Sequence, residues 1–305
     1  MKNKLLCFII CVSVLCLLAV STVGAEPVDS NSAASLTLEY QREGKCFQGI
    51  EIKTYRVADI IDVSRFKLSG SFSDYKINIE YIRSQTEWRE ITSTLVSYII
   101  ADKIEPSYIV MTDENGVAKF ENISVGLYLT TAVRAEDDDG VTEFESFMTV
   151  VPNPTQSGGY EYDVTAYPKC QSFVPSPKEI ERKIVKQWKD SGFKDKRPEY
   201  VTVDILKDGV LVETKQLSSE NNWTYSWITP DDGSKWTAVE REIPDDYTVV
   251  IVEEDNVIVI TNVYEEVPPP PQTGQIFVSW PFLLAVISFG GLLIILSNFK
   301  KKKEV

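Results

Sequence analysis

The sequence predicts an all-β protein: two β-sandwich domains in series, the first carrying one inserted helix, with an N-terminal signal peptide and a C-terminal transmembrane helix. Three observations predict it. From residue 35 to residue 264, short runs alternate apolar and polar residues between turns rich in Gly, Asn and Asp, the period of half-buried strands. One segment breaks that period with apolar residues three and four apart. Both ends of the 305-residue chain carry a continuous apolar stretch beside lysines.

The N-terminal stretch has Lys2 and Lys4, an apolar run over 5–20 and the small residues Val23-Gly24-Ala25. This is the pattern of a secretory signal peptide, removed after export, so 1–25 is excluded from the fold and the mature chain starts near Glu26. Residues 26–34 are small and polar, a flexible entry.

The first domain is set at 35–170. Strands are expected at 36–40 and 50–57, with Gly44 in the turn between them. Ser84-Gln85-Thr86-Glu87 has the spacing of a capping box, and Trp88, Ile91, Leu95 and Tyr98/Ile99 then fall on one helical face as far as about Asp102. Asp113-Glu114-Asn115-Gly116 is a turn. Strands follow at 117–120, 126–133, 144–151 and 160–167. Pro175 and Pro177 interrupt strand pairing and mark a linker at 171–179. The second domain is set at 180–265, with strands at 184–188, 197–206, 210–216, 224–227, 236–240, 247–253 and 257–264.

After a Pro-rich stalk, 266–275, comes an apolar span beginning at Ile276. Its uncharged core of about 21 residues is long enough to cross a bilayer, so 276–299 reads as a transmembrane helix. Lys300–Lys303 hold the tail, 300–305, on the cytoplasmic side.

Composition excludes several functions. The chain has no histidine, which removes the commonest general base and zinc ligand and rules out Ser-His-Asp and Cys-His hydrolases. The net charge is −14, and the removed ends carry lysines away, so the mature segment is more acidic still. Such a surface repels nucleic acid and anionic lipid. No metal site or cofactor is expected; Asp137-Asp138-Asp139-Gly140 reads as a solvated hairpin tip. Three of the five cysteines leave with the signal peptide; Cys46 and Cys170 remain. If the first and last strands of the first domain pair in parallel, both thiols lie at one pole and a disulfide can form, two solitary thiols being the alternative.

Pro270-Pro271-Gln272-Thr273-Gly274, followed by the apolar span and the basic tail, resembles the cell-wall sorting signal of Gram-positive surface proteins, with Pro270 where leucine is usual. The resemblance implies a sortase as partner, cleavage between Thr273 and Gly274, transfer of Thr273 to an amine of peptidoglycan or of another subunit, and membrane contact only before sorting. The alternative is a single-pass anchor that is never cut. The segments 112–120 and 124–129, an Asn-Gly turn, a strand ending in Phe120 and then Gly126-Leu127-Tyr128, resemble the immunoglobulin-like domains of pilins and surface adhesins of Firmicutes. Tyr167-Pro168-Lys169 resembles the pilin motif, with Cys170 where asparagine is usual. That implies Lys169 as the acceptor amine; the alternative is a lysine at a strand end.

The second domain resembles the collagen-adhesin B-type (Cna B-type) domain. The carriers are Lys186-Gln187-Trp188, Arg197-Pro198 before an alternating strand, Leu217-Ser218 with Asn221-Asn222-Trp223, Trp236-Thr237 with Glu240, and Ile260-Thr261-Asn262 with Tyr264. Many members of that family join a Lys to an Asn side chain with the help of an acid, in an immunoglobulin-like, prealbumin-like sandwich. Matched by motif, these are Lys186, Asn262 and Glu240. Burial suits the chemistry: it disfavours the lysine ammonium, leaving a nucleophilic amine, and keeps the glutamic acid neutral. The alternative is a buried ion pair with no bond. Arg56 stands where a reactive lysine of the first domain would be expected, and arginine stays charged.

The sequence therefore leads to an exported, wall-sorted structural protein of pilin type, with a monomeric adhesin for a host or neighbour-cell ligand as the alternative. It is not expected to be an enzyme beyond a single self-directed turnover.

Overall fold

A computed structural model describes residues 28–264, apart from residues 31, 63–64, 139 and 156–157. The signal peptide 1–25, the stalk 266–275 with Thr273 and Gly274, the span 276–299 and the tail 300–305 lie outside the described residues.

The first half comprises β1 (Ala34–Glu39), β2 (Glu51–Asp62), β3 (Arg65–Leu68), α1 (Gln85–Asp102), β4 (Tyr108–Met111), β5 (Val117–Ile123), β6 (Gly126–Ala132), β7 (Gly140–Phe144), β8 (Phe147–Val151), β9 (Asp163–Ala166) and β10 (Cys170–Phe173). One sheet has the order β9-β1-β5; the other runs β8-β6-β2-β3, with β4 also on β2. β1 and β9 pair in parallel, Leu36 opposite Val164. Leu36, Leu38, Ile52, Phe120, Tyr128 and Val164 form the core between the sheets. At the Asp113 turn, that side chain accepts from the amides of Asn115 and Val117, both at 2.9 Å. Gly116 has φ +74°, and a Cβ there would sit 2.5 Å from the Tyr40 carbonyl oxygen, so glycine is required.

The second half comprises β11 (Ser176–Lys189), β12 (Tyr200–Lys207), β13 (Val210–Ser218), β14 (Thr224–Asp231), β15 (Trp236–Glu240), β16 (Tyr247–Glu254) and β17 (Val257–Tyr264). Its sheets are β14-β11-β17-β16 and β13-β12-β15. β11 and β17, the first and last strands, are parallel neighbours.

Two expectations change. The stretch 171–179 is largely strand: β10 ends at Phe173 and β11 starts at Ser176. Pro177 fits because the pairing of β11 with β14 shifts register between Ser176 and Glu179, where an irregular ladder needs no donor from proline. The helix also does more than decorate the first sandwich. Ser84 caps it by accepting from the Glu87 amide at 3.1 Å, as local chemistry dictates, and it ends at Lys103 in the left-handed region more usual for Gly or Asn. Leu127 and Leu129 on β6 point away from the first core and pack with Ile91, Leu95, Tyr98 and Ile99 of α1. The same apolar cluster continues into Val203, Val239, Ile251 and Ile260 of the second sandwich.

Candidate functional site

The second sandwich buries three polar side chains against one another. Lys186 lies on β11 and Asn262 on the parallel neighbour β17; Lys186 is level with Ile260 and Trp188 with Asn262, so Lys186 and Asn262 share the inward face two residues apart. Glu240, the last residue of β15, reaches them from the facing sheet. The side chains of Lys186 and Glu240 are 0% exposed. Lys186 Nζ is 3.6 Å from Glu240 Oε2, and Asn262 Nδ2 donates to Glu240 Oε1 at 2.9 Å. Lys186 Nζ also donates to the Gln187 carbonyl at 2.9 Å. Among the described residues, Glu240 Oε2 and Asn262 Oδ1 accept no hydrogen bond.

Aromatic rings and one polar clamp close the site. Lys186 Nζ lies 4.0 Å from the centre of the Trp188 ring. Trp223 and Tyr247 each meet Trp188 edge-on at 5.4 Å. Trp223 holds φ +59°, uncommon for so bulky a residue, and its carbonyl accepts from the Lys186 amide at 2.8 Å. Asp190, just beyond β11, takes a two-pronged bond from Arg197 at 2.6 Å per contact and a third from the Tyr247 hydroxyl at 3.0 Å. Arg197 and its hydrogen bonds hold the Asp190 carboxyl below its usual value.

Burial sets the electrostatics. It pulls the Lys186 ammonium down to about 8 against the opposing charge of Glu240. It pushes Glu240 up, against the attraction of Lys186 and the hydrogen bond from Asn262. Both shifts favour the neutral forms and narrow the gap between the two groups, so passing a proton from Lys186 to Glu240 costs less here than in water. Lys183, the other lysine near the start of the domain, faces outward and is exposed, an odd number of residues from Lys186 on the same strand.

The other sequence candidates lie elsewhere. Lys169 is exposed between β9 and β10, and its carbonyl accepts from the Glu145 amide at 2.8 Å. It lines a cleft of about 1020 Å³ with Arg89, Glu90, Lys235 and Glu254. Cys46 is exposed and Cys170 half-buried, and both are free thiols. Phe144 lies opposite Cys170, and its ring meets Phe47, the neighbour of Cys46, at 5.0 Å. Arg56 forms no counterpart of the buried triad; it donates to the Val125 carbonyl at 2.9 Å and pairs with Asp59 at 2.8 Å. The roles of Asp190 and of Tyr98, whose hydroxyl donates to the Glu240 carbonyl at 2.9 Å, were not read from sequence. Asp190 carried no signal beyond lying two residues past Trp188, and Tyr98 read as an ordinary core position of the helix.

Residues 182–263, within the second sandwich, match the family model of the Cna protein B-type domain. No curated protein matches the chain. Among solved structures it is similar to the single B1 repeat unit of the collagen-binding surface protein Cna of Staphylococcus aureus, at 16% identity over 77% of this chain and 99% of that one, TM-score 0.27. It is also similar to the full-length major pilin SpaD of Corynebacterium diphtheriae, at 18% identity over 79% of this chain and 66% of that one, TM-score 0.31. A third is GBS52, the minor pilin of Streptococcus agalactiae, at 15% identity over 78% and 99%, TM-score 0.24. The chain spans 50% of the two-repeat B1B2 fragment of Cna.

Proposed function

We propose that this protein is an exported structural subunit of a Gram-positive cell surface, of pilin type, built from modules at 35–170 and 180–265 and stiffened by an amide bond between Lys186 and Asn262. The observation that carries this reading is the buried Lys186–Glu240–Asn262 arrangement between the first and last strands of the second sandwich. In the dry pair the ammonium passes a proton to Glu240, and the neutral Nζ attacks Asn262 Cγ. The Nζ–Cγ bond forms and the Cγ–Nδ2 bond breaks. Nδ2 takes the proton held by Glu240 and leaves as ammonia, while the proton lost from Nζ returns to Glu240. Glu240 suits this shuttle because Oε2 faces Nζ and Oε1 faces Nδ2. Folding supplies the proximity that a free amine and amide lack in water.

In this reading a sortase cuts between Thr273 and Gly274 and joins Thr273 to Lys169 of another subunit or to peptidoglycan. The exposure of Lys169 supports its role as acceptor. The test is a cell-wall extract resolved by size. The expected result is a ladder of covalent multimers that vanishes with Lys169→Ala; one band of monomer in both strains contradicts the pilin reading.

A further inference from the structure

The strand that carries Glu240 is held in place by residues of the first module. Tyr98, 5% exposed on α1, donates its hydroxyl to the carbonyl of Glu240 itself. The next residue, Arg241, is bonded to Asp102 at the C-terminal end of α1, and at 2.6 Å to Asp204 on β12. The turn that follows is gripped by Lys76, which lies between β3 and α1. Its Nζ donates to the carbonyls of Ile243 and Pro244 at 3.0 and 3.3 Å and to Asp245 Oδ1 at 3.0 Å.

The same segment covers β16, an edge strand. Two amides of β16 point outward: that of Val249 donates to the Lys76 carbonyl at 2.9 Å, and that of Ile251 to Thr94 Oγ1 at 2.8 Å. Val249 lies directly opposite Asn262 in the β16–β17 ladder. The first module thus fixes the backbone of Glu240 and of the strand beside Asn262, two of the three members of the buried triad.

We infer that Tyr98, Lys76 and Asp102 are positioning residues for amide formation in the second module, so that the bond closes only once the first module has docked. The inference rests on the Lys186–Asn262 reading above. Reach is what makes it matter. Lys186 Nζ and Glu240 Oε2 stand 3.6 Å apart, beyond a good hydrogen bond, so a shift of β15 away from β11 removes the proton acceptor from the attacking amine. A misplacement of about 1 Å costs such reactions as much as about 100-fold. Docking also fixes an order: the N-terminal module emerges first, whether in export or in translation without a membrane, and stands ready to receive β15 and β16 as they form.

The test follows ammonia loss by intact mass on the full chain made by cell-free translation, with time points taken across a range of pH. Tyr98→Phe, which removes one hydroxyl, and Lys76→Met are each expected to slow bond closure by at least about tenfold at every pH, lowering the maximum of the pH profile without moving it. Asp102→Asn is expected to slow it likewise, and Asp102→Glu to restore most of the rate. Melting of the same variants in an Asn262→Ala background shows whether they fold. Should Tyr98→Phe fail to fold, the two surface-accessible contacts, Lys76 and Asp102, decide the matter. Closure within about twofold of the unsubstituted rate in the variants that fold overturns the inference and leaves the amide bond standing. Absence of any mass deficit in the unsubstituted chain overturns the bond itself, and the inference with it.

Discussion

Removing an ammonium and a carboxylate from water costs several kcal/mol per ion, and a lone contact of 3.6 Å returns little of it. Passing a proton from Lys186 to Glu240 would relieve that cost, and in the proposed reaction the neutral pair is the reactive one. The rate of bond closure should therefore peak at intermediate pH. On the acid side Lys186 gains a proton while Glu240 keeps its own; on the alkaline side Glu240 loses the proton that the leaving nitrogen needs. Intact-mass time courses check this, and a rate that climbs steadily into strong alkali would assign the limit to lysine alone. At this scale the resemblance to the Cna B-type domain named Lys186, Glu240 and Asn262, and the fold brings the three side chains together. The sequence was silent on Asp190, because a carboxylate past a strand end looks solvated until Arg197 and Tyr247 fold over it.

Helix α1 shows how an element can be named from sequence and still be misjudged. The spacing of Trp88, Ile91, Leu95 and Tyr98 gave its existence and one buried face. Its second buried face consists of Thr92, Thr94 and Ser97, polar residues that the apolar spacing does not pick out. Each hydroxyl donates to a helix carbonyl four residues back, at 2.7, 2.7 and 2.9 Å, which lets these residues sit buried against a partner. Thr94 then has a lone pair free for the outward amide of Ile251, one of the donors an edge strand leaves open. Thr94→Val keeps the shape and removes that acceptor. It is expected to lower stability by about 1–3 kcal/mol, because the Ile251 amide stays buried and unpaired. Urea unfolding in an Asn262→Ala background, where no covalent link restrains the chain, measures it; an unchanged midpoint contradicts the role given to Thr94. The prolines at 175 and 177 misled for a related reason: the register shift that admits Pro177 into β11 depends on its partner β14, more than forty residues away.

For the whole molecule the proposed bond sits at a mechanically telling place. It would tie the first strand of the second module to its last, so that, in the proposed fibre, tension between Lys169 and Thr273 would cross from β11 to β17 through an amide instead of unzipping the residues between. By analogy with a disulfide, closing a loop of about 77 residues restricts the unfolded chain by roughly 4–5 kcal/mol. The acidic, histidine-free composition fits a role that asks for solubility and covalent strength rather than turnover. The stiffening, the pH profile and the positioning by the first module all pass through the Lys186–Asn262 link, and peptide mapping of the mature protein by tandem mass spectrometry tests it most directly. The account predicts that the peptides holding Lys186 and Asn262 leave the digest as one branched species, about 17 Da lighter than the two together. Two separate linear peptides, each at full mass, would contradict it.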